Sequence, residues 1–96
     1  MSITVNAIFK ATDESYDDLV AYMSSILPDT AAFEGAELIS CYADPDEKTL
    51  VVHEVWAEKA AQEAYLGWRT ETGVVGKIVA MLREPPVFEE RVHVPF

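Results

Sequence analysis

Leu50-Val51-Val52-His53-Glu54-Val55-Trp56-Ala57-Glu58-Lys59-Ala60-Ala61-Gln62-Glu63-Ala64-Tyr65 is the stretch that decides the fold. An apolar strand ends in Glu54-x-Trp56 and runs into a helix with almost no loop. The strand sets two polar residues in an otherwise buried run, and the helix brings an aromatic residue back towards them. That arrangement predicts a small pocket between sheet and helix.

Upstream, Ile3 to Lys10 reads as a first strand, with Ile3, Val5, Ala7 and Phe9 on one face and Asn6 and Ile8 on the other. Thr12 or Asp13 is the expected N-cap of a helix, and Asp13 and Glu14 suit its positive end. Tyr16, Leu19, Val20, Met23, Ile26 and Leu27 follow a 3.6-residue period, and Pro28 is expected to stop that helix. Glu34-Gly35 signals a turn into a second strand from Ala36 to Ala43. A polar hairpin, Asp44 to Lys48, leads to the third strand, Thr49 to Trp56.

Downstream, Ala61, Ala64, Tyr65 and Trp68 share one face of a helix starting at Ala57. The pattern resets at Thr72-Gly73, and Val74, Val75, Ile78, Val79 and Leu82 define a further helix. Pro85-Pro86 ends it, and Val87 to Val94 is the last strand. The order βαβ-βα(α)β predicts one α+β domain over residues 1–96. Its fold is ferredoxin-like βαββαβ, an antiparallel sheet with helices on one face.

Such a sheet leaves one face without helices, yet strands one and three carry apolar residues on both faces. A second copy of the sheet is the simplest cover, so a homodimer is expected, and Val5→Asp or Phe9→Asp should weaken it.

Composition excludes several classes. The net charge is −10, with only seven scattered Lys and Arg residues, so a nucleic-acid partner is not expected. Apolar runs are too short to span a membrane, and the N-terminus lacks a signal-peptide pattern, so a cytoplasmic location is expected. Cys41 is the one cysteine, expected as a buried, inert thiol. The acidic residues have no calcium-loop spacing, so no metal site is expected.

With Val52-His53-Glu54-Val55-Trp56 followed by Glu58-Lys59-Ala60-Ala61, with Phe33-Glu34-Gly35-Ala36 and with Asn6, the chain resembles the antibiotic biosynthesis monooxygenase domain family. The resemblance implies a dimeric α/β barrel. It also implies the activities of that superfamily, which include cofactor-independent oxygenation of quinols and aromatics, heme degradation and isomerisation. Relatives commonly carry His nine residues beyond the Trp of the signature, where this chain has Tyr65. The heme-degrading branch keeps its iron ligand further along, where this chain has Val74-Val75-Gly76-Lys77. No heme or other cofactor is therefore expected.

The catalytic candidates are Asn6, Glu54 and Tyr65; the substrate-binding candidates are Trp56, Trp68 and Ile8. Asn6 is a candidate donor to a substrate oxyanion, or simply a hydrated strand residue. Glu54 is either a base with a raised pKa or a carboxylate paired with Arg69, Arg83 or Arg91. Tyr65 and Trp68 either sandwich a flat ligand or fill the core. His53 is expected at the dimer interface and His93 at the surface. The expected function is a cofactor-independent monooxygenase acting on a small aromatic or quinol-type molecule. The alternative is a non-catalytic dimeric barrel binding a small hydrophobic ligand, or an isomerase of the same superfamily. The oxygenase site requires Asn6 to point towards the helices, where Tyr65 lies.

Overall fold

A computed structural model describes residues 1–96. The elements are β1 (Ile3–Lys10), α1 (Tyr16–Ala31), β2 (Ala36–Asp44), β3 (Thr49–Trp56), α2 (Lys59–Glu71), α3 (Val74–Val79) and β4 (Val87–Val92). The strands form one antiparallel sheet in the order β2-β3-β1-β4. The α+β ferredoxin-like arrangement expected from the sequence is therefore the observed one. No helix is long and apolar enough to cross a membrane.

The period-two alternation of β1 and β3 sorts their residues between two unlike environments. Ile3, Val5, Ala7 and Phe9 are buried, as are Leu50, Val52, Glu54 and Trp56, and these lie beneath the helices. The opposite face carries Asn6, Ile8, Val51, His53 and Val55, all only half-buried, with exposed Leu38, Tyr42 and Val87 in register beside them. This face has no helix over it. Val5 and Phe9 therefore belong to the helix-covered core, and the expectation that placed them against a second copy had the wrong face.

The first helix departs from its expected limits at both ends. Its N-cap is Ser15, whose backbone N–H donates to Thr12 Oγ1 over 3.2 Å. At the other end it runs through Pro28 to Ala31. Proline removes one donor, but in a last turn few further helical bonds depend on it. Ala32 N–H still donates to the Pro28 carbonyl over 3.1 Å. That extra turn places Thr30, fully buried, opposite α2. The second strand extends one residue further than expected and the last strand ends two residues earlier.

The helix-covered side holds two packed clusters. In one, α1 and Ile78 of α3 cover Ala7, Phe9, Leu50 and Val52. In the other, Tyr65 of α2 packs on Ile3, Val5 and Trp56, with Phe33, Ala61 and Trp68 around them. Gly35 sets the closeness of α2: its φ is +91°, and a Cβ there would collide with that of Ala61. Its carbonyl accepts from Ala57 N–H over 2.8 Å, tying the end of β3 to the turn before β2. Cys41 lies exposed on the edge strand β2, not buried as expected, and its partial desolvation raises the thiol pKa.

Candidate functional site

A cavity of about 60 Å³ occupies the space between α1, α2, α3 and the covered face of the sheet. Phe9, Val52 and Glu54 form its floor. Met23, Ile26 and Leu27 of α1 wall one side, and Val74, Val75, Ile78 and Val79 of α3 wall another. Gln62, Tyr65, Leu66 and Arg69 line it from α2, at the i, i+3, i+4 and i+7 spacing of a single helical face. Pro86 and Phe88 complete the lining, and Phe88 and Val79 are 46 % and 44 % exposed. A cavity of roughly 150 Å³ is the size that takes benzene. A ring therefore fits here only in part, with the remainder in the mouth or with α3 displaced.

Glu54 is the acidic group of this cavity. It is 8 % exposed, and Trp56 Nε1–H donates to its Oε1 over 2.8 Å. Burial pushes its carboxyl above the ordinary range, and the indole bond opposes that shift without cancelling it. No cation pairs with it. Arg69 is engaged elsewhere, Arg83 donates to the carbonyls of Ala11 and Glu47, and Arg91 pairs with Glu89. The expected ion pair with one of these arginines is therefore not formed. What remains is a carboxyl in apolar surroundings with its pKa raised by burial, the environment expected of a proton acceptor.

Tyr65 and Arg69 meet one turn apart on α2. Arg69 Nε–H donates to Tyr65 Oη over 2.9 Å, and its Nη2 donates to Thr30 Oγ1 at 3.1 Å and the Ile26 carbonyl at 2.8 Å. The hydroxyls of Tyr65 and Thr30 are 2.6 Å apart, one donating to the other. The phenol oxygen thus already holds two protein partners. Tyr65 lines the cavity with its hydroxyl already engaged.

Gln62 escaped the sequence reading. It is 8 % exposed and lines the cavity, and its amide makes no hydrogen bond to the protein. The only signal available was its spacing: three residues before Tyr65 and seven before Arg69, on the buried side of α2. For Arg69 the sequence suggests only a partner for Glu54.

The other expected residues fall elsewhere. Asn6 and Ile8 lie on the uncovered face, where Asn6 Oδ1 and His53 Nδ1 form a 2.7 Å hydrogen bond across paired strands. An Asn6–Tyr65 site is excluded by this geometry, because the sheet separates the two side chains. Trp56 is fully buried and does not line the cavity; its role there is to hold Glu54. Trp68 also lies outside the lining, stacked on Phe33 with centroids 5.4 Å apart. Phe33, Trp56, Tyr65 and Trp68 together fill the space expected to sandwich a ligand. Neither histidine lines the cavity, and no group of three or more His, Cys, Asp or Glu is placed to hold a metal ion.

No protein-family model matches the chain, and no curated protein matches it. Solved structures match over nearly its full length. Rv0793 from Mycobacterium tuberculosis superposes with a TM-score of 0.88 at 18 % identity, over 100 % of this chain and 98 % of that one. An antibiotic biosynthesis monooxygenase superposes at 0.86 with 19 % identity, covering 97 % and 99 %. NE2512 from Nitrosomonas europaea, a protein of unknown function, superposes at 0.80 with 18 % identity, covering 99 % and 95 %. The ferredoxin-like α+β fold expected from the sequence is the fold these structures share.

Proposed function

We propose that this chain is a cofactor-independent monooxygenase of the antibiotic biosynthesis monooxygenase type, with Glu54 as its base. The observation that carries the reading is the Glu54 carboxyl: buried, without a cation, held by Trp56 and facing an apolar cavity. The likeness to a solved antibiotic biosynthesis monooxygenase supports it.

The chemistry asks little of the protein. Glu54 takes the hydroxyl proton of a quinol or phenol, and the free amide of Gln62 donates to the oxyanion that forms. The electron-rich anion reduces dioxygen directly. One oxygen forms a new carbon–oxygen bond, and the other leaves as water once the O–O bond breaks and protons return. For a quinol the balance closes: quinol and dioxygen give a hydroxyquinone and water. The apolar walls from α1 and α3 exclude water from the anion. A homodimer joined through the uncovered sheet face belongs to the same proposal, since that face presents Ile8, Leu38, Tyr42, Val51 and Val55 without cover.

The test is dioxygen uptake with a panel of single-ring quinols and phenols. Uptake with at least one of them, falling about 100-fold or more in Glu54→Gln, is expected. A base beside an apolar cavity also suits an isomerase. Incorporation of solvent deuterium into a substrate without dioxygen uptake would replace the oxygenase by that second reading.

A further inference from the structure

We infer that Arg69 anchors an anion, and that the molecule taken by this cavity is a small apolar compound bearing a carboxylate. The inference rests on the cavity being the substrate site. It adds which end of the substrate is charged.

Arg69 is 5 % exposed and is the only basic residue lining the cavity. No acidic side chain pairs with it: the ion pairs of this protein involve Lys10, Lys59 and Arg91. Its protein acceptors are two hydroxyls and a carbonyl, and its guanidinium lies over the Trp68 ring, so no anion balances its charge. Placing a guanidinium in such surroundings is unfavourable, and an anion of good geometry offsets that cost.

The acceptors present take up Nε and Nη2, and Nη1 has none. No fully enclosed side-chain nitrogen or oxygen in this protein lacks a partner, so Nη1 retains accessible surface. The guanidinium is also held in place, with its Cζ 4.3 Å from the Trp68 ring centroid and its other nitrogens bonded. A fixed cation with one free nitrogen, Nη1, is organised to receive a carboxylate oxygen at little conformational cost.

The charged end is distinct from the reacting end. Gln62 and Arg69 are seven residues apart on α2, an axial rise of about 10 Å. Gln62 is in the first turns of α2, soon after the strand that carries Glu54, and Arg69 is near the helix C-terminus. Leu66 lies between them on α2, and most of the remaining lining is apolar, including Val75 and Ile78 of α3. The complementary ligand has a carboxylate at Arg69, an apolar body, and its ionisable hydroxyl or C–H at Glu54. The protein's net charge of −10 repels anions at long range, so any preference for an acid must come from local contacts.

Two matched pairs test this by calorimetry on the intact protein at neutral pH: isovalerate against isovaleramide, and benzoate against benzamide. In at least one pair the acid should bind about tenfold or more tightly. During titration with that acid, the Nε–Hε resonance of Arg69 should move while those of Arg83 and Arg91 stay in place. Arg69→Met should abolish the acid preference. Should that variant not fold, the resonance shift and the acid–amide comparison in the unmutated protein decide the matter. Equal affinity for acid and amide in both pairs, no binding of either acid, or shifts confined to Arg83 or Arg91 would overturn the anchor. Dioxygen uptake with neutral quinols but no acid preference would remove the anchor and leave the oxygenase. Acid preference without dioxygen uptake on any phenol would do the reverse.

Discussion

Trp56 Nε1–H donates to Glu54 Oε1 over 2.8 Å, within one strand and on one face of the sheet. Residues two apart on a strand point the same way, so this bond is built into the Glu-x-Trp spacing itself. It gives the carboxylate one neutral donor, too little to offset burial. The carboxyl therefore keeps its raised pKa.

Protonation of Glu54 is thus coupled to folding. Unfolded, the group titrates near its ordinary value of 4.5; folded, it holds its proton to higher pH. Between those two values the native state binds more protons than the unfolded state, so stability falls as pH rises through that window. Glu54→Gln keeps an acceptor for Trp56 and removes the titration. Urea unfolding at several pH values should show the variant gaining on the parent as pH rises from about 4.5, then a constant difference. A parent whose stability is flat, or rises, relative to Glu54→Gln across this range would contradict the assignment.

Tyr65→Phe keeps the ring against Trp56 and Phe33 but deletes an oxygen shared by Arg69 and Thr30. Leaving buried polar groups short of a partner costs about 1–3 kcal/mol. Chemical denaturation should show a loss of that order with the same fold by circular dichroism. A neutral substitution would mean that Arg69 and Thr30 find other partners.

The two faces of the sheet should respond differently to charge. Val51→Asp, on the uncovered face, should leave a folded protein but shift a dimer to monomer in sedimentation equilibrium. Phe9→Asp should unfold it, because Phe9 is packed beneath the helices. Asn6→Ala should leave cavity binding unchanged within about twofold, since Asn6 pairs with His53 on the far face. A parent chain that is monomeric at micromolar concentration would remove the dimer proposal.

Gly35→Ala should be among the most damaging single-methyl changes. It places a side chain at φ +91° and drives it into Ala61 at the start of α2. A left-handed backbone costs roughly 1–2 kcal/mol and overpacking a further 1–3. A fall in stability of about 2 kcal/mol or more is expected by thermal or urea unfolding. A smaller loss would mean that α2 shifts readily.

Sequence patterning by itself determined the element order, the antiparallel ferredoxin-like fold and the separation of each central strand into two faces. These follow from local rules: period two in β1 and β3, period 3.6 in α1 and α2, and Gly and Pro at the turns. Glu54 and Trp56 on one face, and Tyr65 on a buried helix face, were legible for the same reason.

Tertiary structure alone decided which strand face the helices cover, because alternation distinguishes two faces without saying which one is roofed. That choice moved Asn6 and Ile8 away from the cavity and brought Val5 and Phe9 under the helices. It also decided the partners of Arg69. Ile26 and Thr30 are 43 and 39 residues away in the chain, and Thr30 lies beyond Pro28, where the local pattern predicts the end of α1. Contacts at such separation depend on how helices pack, and no local pattern encodes them. The unpartnered donors of Gln62 and Arg69 are visible only once every other partner has been placed.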